Sequence, residues 1–408
     1  MGKSPINTSK KTNRFLISLI FIAMAAGACM HAVAYEGDAS QEDANASGQN
    51  SLFQALTGGK IDLNLHYRFE HVDDDFVSGG TSLKDAKAST FRTALGYTTS
   101  KFFNFDARLA FQDVRTVGPD DFNDATGRAN AKTTHALVAD PSDTDVLESY
   151  IGFSGIPHTQ LKAGRQMITY RKAPFHRFIG TILWRQNWQV FDAFSAVNTY
   201  LPDTTISYAY IWNVNRIFSE EAVDPFDNFD SNSHFVNVKY DGFPLGKFEA
   251  YTYLLDFDNG AAFSTDTFGI RFGGGYPLTD RIKALYVAEY ADQSDSNNNP
   301  NDIDADYIHG SLGANFKINN IIDSLTLKFS YEQLSGDGGA DRFITILGTN
   351  HAFQGWADRF LITPGDGIED FFVTAIIKAY GIKFVIDYHD LSSDNDSYDY
   401  GDELGLLA

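Results

Sequence analysis

Strict alternation of apolar and polar side chains runs through most of this chain and constrains its fold more than any other feature. In residues 61–70 every odd position is apolar and every even position is polar, and residues 103–112, 325–332 and 382–389 follow nearly the same pattern. Successive side chains of a β-strand point to opposite faces, so each segment has one apolar and one polar face. Soluble β-sandwiches show the same alternation, so further evidence is needed to choose between the two folds.

Three further features favour a transmembrane antiparallel β-barrel. The predicted strands have about 9–11 residues, which is the length that crosses a bilayer at a tilt. Aromatic residues gather at strand ends, and short links alternate with long ones, as in outer-membrane barrels. We therefore predict an all-β barrel over residues 59–408 with about 16 strands, at 60–70, 89–99, 102–115, 145–154, 160–168, 188–197, 204–213, 233–241, 246–256, 265–275, 281–291, 305–316, 323–334, 370–379, 381–390 and 399–408.

The end of the sequence bears on the size of the complete barrel. Residues 402–408 read as a strand still in progress, without the aromatic terminal residue expected of an outer-membrane barrel. We expect further strands beyond Ala408 and a complete barrel of 18 strands.

The first 34 residues are predicted to be a secretory signal peptide. Four cations and no acid precede an apolar stretch that starts at Phe15, and Ala32-Val33-Ala34 supplies a small-x-small cleavage site. A membrane anchor or a lipoprotein signal ending at Cys29 are the alternatives. Cleavage after Ala34 leaves 28 basic against 53 acidic side chains, a net charge of −25, and removes the single cysteine. Residues 35–58 are predicted to be a flexible leader, and the outer membrane of a Gram-negative cell is the predicted location.

The acidic balance excludes some functions and leaves others open. A net charge of −21 for the whole chain disfavours nucleic acid as a partner, because such binders carry a basic surface. The acids concentrate in long links that could bridge divalent cations to lipopolysaccharide. Asp292, Asp295 and Asp302 are weak candidates for a Ca²⁺ site, although their spacing matches no EF-hand. No Gly-x-Ser-x-Gly or His-Glu-x-x-His is present, and we predict no enzymatic activity and no cofactor.

One long link differs from all the others. Residues 169–187 contain five basic or histidine side chains and no acid, together with several large apolar side chains. A loop that folds into the lumen would explain both features, with its aromatics against the wall and its arginines toward the pore. Arginine offers a planar fork that pairs with carboxylates, and a ring of such donors selects anions.

The same region resembles a known family. Gly164-Arg165-Gln166, Phe175–Gly180, Trp184-Arg185-Gln186-Asn187 and Phe191-Asp192-Ala193 are similar to motifs of the alginate export family of outer-membrane porins. The resemblance implies a monomeric barrel of about 18 strands whose basic lumen guides an anionic polysaccharide or a sugar acid. It is motif-like only between residues 160 and 194.

We therefore predict transmembrane transport of anionic or polar saccharides by facilitated diffusion through an arginine-lined lumen. Periplasmic export proteins are the candidate partners. Uptake of small solutes without saccharide specificity is the alternative, and a lipase-type enzyme is a third. The predicted pore-lining residues are Arg165, Arg171, Arg177, Arg185, Gln186, Trp184, Asp192, Arg68, Arg92 and Arg108. The arginines could instead pair with inward acids and hold the loop to the wall; Asp106, Glu148, Asp192 and Glu249 are the candidate partners.

Overall fold

Sixteen antiparallel strands form one continuous sheet in the computed structural model, which describes residues 51–75, 77–78, 81–129, 131–319, 321–395 and 397–408. The strands are β1 (Lys60–Val72), β4 (Ala86–Thr98), β5 (Phe105–Asp121), β6 (Asp143–Phe153), β7 (Thr159–Gln166), β8 (Val190–Asn198), β9 (Thr204–Asn215), β10 (Asn228–Tyr240), β11 (Lys247–Leu254), β12 (Thr265–Pro277), β13 (Ile282–Asp295), β14 (Asp304–Lys317), β15 (Ile322–Leu334), β16 (Ile368–Ala379), β17 (Ile382–Ser392) and β18 (Asp399–Leu407). A separate two-residue pair, β2 (Val77–Ser78) and β3 (Thr81–Ser82), lies in the β1–β4 link.

The helical content is small. It comprises α1 (Leu52–Thr57) and two single turns of 3₁₀-helix, η1 (Ala261–Phe263) and η2 (Asn350–Ala352). Within the residues described, no helix is long and apolar enough to cross a membrane. The predicted signal peptide lies outside the described residues, as does the predicted leader up to residue 50, and α1 occupies most of the rest of that leader.

Each strand pairs with the next along the chain, from β1 to β18. All sixteen predicted strands are present, and their bounds differ from the prediction by six residues or fewer. The largest differences are at the long-link ends, where β5 continues to Asp121 and β10 begins at Asn228. Beyond the bilayer both faces of a strand meet water, so the apolar alternation that predicts a strand disappears there.

The two faces of the sheet match the alternation. The odd residues of β1, such as Ile61 and Leu65, are exposed on the outside, as are Leu312 and Phe329 on later strands. An apolar exterior of this kind is what a lipid-facing surface requires.

The buried apolar core lies on the other face, inside the curled sheet. It joins wall residues such as Phe235 and Tyr307 to Phe178 and Phe343, which belong to two long links. We call residues 167–189, between β7 and β8, the first inner loop, and residues 335–367, between β15 and β16, the second inner loop. These two loops therefore lie inside the barrel and narrow its interior.

Candidate functional site

The first inner loop folds into the barrel, as its composition predicts. The Nε2 of Gln186 donates to the carbonyl oxygen of Thr90 at 3.2 Å and to its Oγ1 at 3.0 Å, which ties the loop to β4. The Nε2 of Gln189 donates to the carbonyl oxygens of Gly180 and Leu347. Polar side chains buried in this way hold the loop because each would lose a hydrogen bond on leaving.

Arg171 joins the loop to the wall across two strands. Its Nη2 donates to Oε1 of Glu289 at 2.5 Å, and its Nε lies 3.2 Å from Oε2 of Glu249. Glu249 and Glu289 face inward from β11 and β13, with Arg271 of β12 between them in register. Charge-assisted pairs of this kind are strong when they are shielded from water.

Arg177 lies deepest of the loop arginines. Its side chain is 1% exposed, and its Nε is 3.1 Å from Oε1 of Glu332, which is 2% exposed. Its Nη2 donates to Oε1 of Gln354 at 3.1 Å, and its guanidinium carbon lies 4.4 Å from the ring centroid of Phe353. Arg177 therefore links the first inner loop to β15 and to the second inner loop.

Arg185 connects the same two loops at another point. Its Nη2 donates to Oδ2 of Asp358 at 2.5 Å, and its Nη1 donates to Oε2 of Glu70 at 3.3 Å. Burial alone would raise the pKa of Asp358, but Arg185, His351 and Arg68 together outweigh that effect and hold the pKa below its usual value. Burial lowers the pKa of His351, whose Nδ1 lies 2.5 Å from Oδ1 of Asp358. Asp358 is therefore ionised and His351 neutral near pH 7.

Trp184 is enclosed between a histidine and an arginine. Its ring stacks on that of His351, with centroids 3.7 Å apart and planes 10° apart. The guanidinium carbon of Arg68 lies 4.1 Å from the Trp184 ring centroid, and its Nη1 donates to the Trp184 carbonyl oxygen. Arg68 also pairs with Glu70 and lies 3.5 Å from Asp140.

A row of charged side chains crosses the inner wall from β10 to β16. Its members stand directly opposite one another on neighbouring strands and so form one continuous line across the sheet. The row, called the charged row below, is Lys239, Glu249, Arg271, Glu289, His309, Glu332 and Asp370. It holds four carboxylates but only one arginine and one lysine, and Arg171 and Arg177 supply the missing positive charge.

Arg92 contrasts with the loop arginines. It faces inward from β4 and is 1% exposed, with its guanidinium carbon 3.5 Å from the ring centroid of Trp188. Its Nη2 donates to Oδ1 of Asn64 at 2.6 Å, while Nε and Nη1 are buried without a hydrogen-bond partner. Among the residues described, no carboxylate forms an ion pair with it. Arg92 is therefore a buried positive charge without a carboxylate partner in the described part of the chain.

All three guanidinium nitrogens of Arg108 donate hydrogen bonds to acids of the wall. Its Nη1 donates to Oδ1 of Asp62 at 2.7 Å, and its Nε donates to Glu148. The alternative interpretation, in which the loop arginines pair with inward acids, agrees with the contact between Arg171 and Glu249.

Arg165 and Asp192 form a pair at the ends of their strands. The Nε of Arg165 donates to Oδ1 of Asp192 at 2.8 Å, and its Nη1 donates to Asp145 at 3.1 Å. Alternation along β8 puts Asp192 on the face of Phe194, which is 39% exposed, and opposite the fully buried Phe191. Arg165 lies one residue from the end of β7, which resolves how a charge can occupy the outward face. Their pore-lining role stays a prediction, and the contacts show a pair that ties β7 to β8.

The second inner loop is the main part of the site that the sequence analysis missed. Trp356 donates from Nε1 to Oδ2 of Asp387 at 3.1 Å and from its backbone N–H to Glu403. Arg359 pairs with Asp74 at 2.7 Å, so this loop bridges the last strands of the sheet to the link that follows β1. The available signal was the number of large apolar side chains in this link, among them Phe343, Leu347 and Phe360.

The three acids proposed for Ca²⁺ stand apart from this site. Asp292 and Asp295 belong to β13 and Asp302 to the short link before β14. In the described part of the chain, no group of three or more potential ligands is arranged to hold a metal ion. Calcium binding stays a prediction.

Comparison with known proteins identifies the family. Residues 59–359 match the family described as Alginate export. The chain belongs to the alginate export family. No curated protein matches the sequence. Members of this family are channels of the bacterial outer membrane, which places this protein there as an outer-membrane channel.

Solved structures show the same barrel fold. Pseudomonas aeruginosa OpdK with vanillate is similar at a TM-score of 0.60 and 12% identity, covering 86% of this chain and 87% of that one. Pseudomonas aeruginosa OccD3 has a TM-score of 0.56 and 14% identity, covering 86% and 76%. Acinetobacter baumannii OccAB4 has a TM-score of 0.55 and 13% identity, covering 85% and 95%. At these identities the likeness concerns the fold alone.

Proposed function

We propose that this alginate export family member passes anionic or polar saccharides, such as an alginate-like polysaccharide or sugar acids, by facilitated diffusion. The observation that carries the proposal is a guanidinium inside the barrel that has no carboxylate partner among the described residues, that of Arg92, which lies against the ring of Trp188. A guanidinium recognises a carboxylate. The carboxylate of a sugar acid therefore has a matching partner in Arg92.

Anion preference on this proposal depends on Arg92 more than on the loop arginines. Arg171, Arg177 and Arg185 are neutralised by carboxylates, whereas Arg92 has none. An arginine that is already paired adds little field to the pore, and an unpaired one keeps its full charge for a passing anion.

Uptake of a small carboxylate is the second candidate. The similar structure of OpdK was solved with vanillate, an aromatic carboxylate, and the interior here is narrowed by two inner loops. A narrowed lumen favours short substrates over a long polymer. The acidic outer links suit contact with lipopolysaccharide through divalent cations in either case, and periplasmic export partners belong only to the polysaccharide proposal.

Ion selectivity in planar bilayers tests the proposal. Reversal potentials across a KCl gradient should show anion preference in the wild-type protein and a reduced preference in Arg92→Gln. Arg281→Gln is the matched control, because Arg281 is exposed beside a short link and should leave selectivity unchanged. Cation preference in the wild-type protein that Arg92→Gln does not alter would contradict the proposal.

Permeation of sugars separates the two candidates. In proteoliposome swelling, glucuronate should enter faster than glucose if carboxylates are selected, and oligomeric uronates should enter only if the channel serves polymers. Equal rates for glucose and glucuronate would favour a channel without saccharide specificity.

A further inference from the structure

Arg216 is a second buried arginine without a counter-charge, and it lies far along the chain from Arg92. It directly follows β9, at the end of the barrel that carries the long links. Val214 and Phe229, which are in register on neighbouring strands, are both fully buried on the inward face. Arg216 shares the face of Val214 and therefore points inward.

The surroundings of Arg216 are aromatic. Its guanidinium carbon lies 4.6 Å from the ring centroid of Phe229 and 5.4 Å from that of Phe218. Phe229 in turn stacks on Phe257 at 4.3 Å, so the cation rests on a rigid platform. The next residue, Ile217, packs against Ile182 of the first inner loop. The site thus lies where the wall, an outer link and the inner loop meet.

Two of the three guanidinium nitrogens of Arg216 have no hydrogen-bond partner. The side chain is 8% exposed, and its Nε and Nη1 are buried without a hydrogen-bond partner. In the part of the chain that the structure describes, no Asp or Glu forms an ion pair with it. Burial lowers the pKa of Arg216 to about 10, so it remains charged at neutral pH.

This state is energetically unfavourable for the protein alone. A buried charge without a partner destabilises the fold, and the paired arginines of the first inner loop show how this chain normally avoids that cost. A ligand anion would supply both the missing charge and the missing hydrogen-bond acceptors. The aromatic lining favours an anion attached to a ring or an apolar body over a small inorganic ion.

We propose that Arg216 forms a binding site for the carboxylate of an organic acid, such as a uronic acid, at the long-link mouth of the barrel. The carboxylate pairs with the guanidinium while the body of the acid lies against Phe218. This inference rests on the proposed function, since it gives that channel an entry site for its substrate, separate from Arg92.

Ligand-dependent stabilisation tests the site. Thermal midpoints of the mature chain in detergent are measured with sodium glucuronate, glucose, and sodium sulfate at equal ionic strength. Glucuronate alone should raise the midpoint of the wild-type protein, and Arg216→Met should lose that rise. Arg128→Met is the matched control, because Arg128 lies in a long link, is exposed, and is paired with Glu221 at 2.6 Å. It should keep the full rise.

Calorimetric titration of the folded proteins measures the affinity for glucuronate directly. The measured affinity does not depend on whether Arg216→Met is less stable than the wild-type protein without ligand. Glucuronate should bind Arg216→Met at least tenfold more weakly than the wild-type protein. Equal affinity of the two proteins overturns the proposal, as does a rise with sulfate as large as that with glucuronate.

Failure of the Arg216 site can be distinguished from failure of the proposed channel function. Loss of glucuronate binding in Arg216→Met, in a channel without anion preference, would support the site and reject anionic selectivity. Anion preference with glucuronate binding unaffected by Arg216→Met would support the function and reject the site.

Discussion

At the scale of single residues, the interior divides its arginines into two kinds. Arg171, Arg177 and Arg185 are each held by carboxylates, while Arg92 and Arg216 rest on aromatic rings without any. Paired arginines fix the inner loops in place. Breaking such a pair would leave the charge of the carboxylate buried without a counter-charge, which destabilises the fold. We assign ligand anions to the unpaired arginines in the two proposals above.

The Arg177–Glu332 pair gives the sharpest test of this division. Arg177→Met should destabilise the folded protein by about 3–5 kcal/mol, because it leaves the carboxylate of Glu332 buried without its partner. The double variant Arg177→Met/Glu332→Gln should recover most of that loss. Urea unfolding followed by tryptophan fluorescence measures both.

The matched control for this test is Arg359→Gln. Arg359 is 47% exposed in its pair with Asp74, and removal of an exposed pair costs about 1 kcal/mol or less. Similar losses in Arg177→Met and Arg359→Gln would show that the buried pair is not special.

At the scale of elements, the two inner loops behave as one unit. The backbone N–H of Gly180 donates to the carbonyl oxygen of Leu347, and that of Thr349 donates to the carbonyl oxygen of His176. Their apolar side chains share one core with the wall. The first inner loop also balances the charged row, because it contributes two arginines to a wall with excess carboxylates.

Replacement of the first inner loop tests this charge balance. A flexible Gly-Ser linker in place of residues 171–186 should raise single-channel conductance severalfold and shift selectivity toward cations. The reason is that Glu249, Glu289 and Glu332 lose their loop partners and then face the pore. Bilayer recordings at the same salt gradient measure both effects.

The control for this replacement is a Gly-Ser substitution of residues 296–302, in the link between β13 and β14. It should leave conductance and selectivity near the wild-type values. An anion preference that survives loss of the first inner loop would show that the charged row does not set selectivity.

At the scale of the whole molecule, the chain is an outer-membrane channel built from one sheet. The apolar face of the sheet is exposed outward, and the polar face encloses the loops. Such a barrel must cross the inner membrane unfolded, which is why the predicted export signal matters.

The predicted signal peptide is tested by the mature protein itself. Expressed in a Gram-negative host and recovered from the outer membrane, the protein should begin at Tyr35, by N-terminal sequencing and intact mass. Replacing Ala32 and Ala34 with Leu should block cleavage and leave a precursor in the inner membrane. Recovery of the uncleaved chain from the outer membrane would argue for the anchor interpretation.

Most of the fold could be predicted from the alternation of apolar and polar side chains, because this alternation is visible within a few neighbouring residues. A strand of β1 type shows its two faces within a few residues, since lipid and lumen impose opposite chemistry on neighbouring side chains. The unusual composition of residues 169–187 similarly indicated a loop inside the barrel. The position of the second inner loop inside the barrel was not predicted, because its apolar side chains, such as Phe343 and Phe360, are interspersed with acids and glycines.

The sequence by itself determined the class of fold and, among the described residues, the sixteen strands of the main sheet, because both follow from patterns among neighbouring residues. It offered the loop inside the barrel as a hypothesis. Only the tertiary structure decided which arginines are neutralised. That depends on strand register, which aligns Glu249, Arg271 and Glu289 from three strands, and on where Arg171 and Arg177 meet that row. Charges at such sequence separations interact through space alone, so no local pattern records which of them remain unpaired.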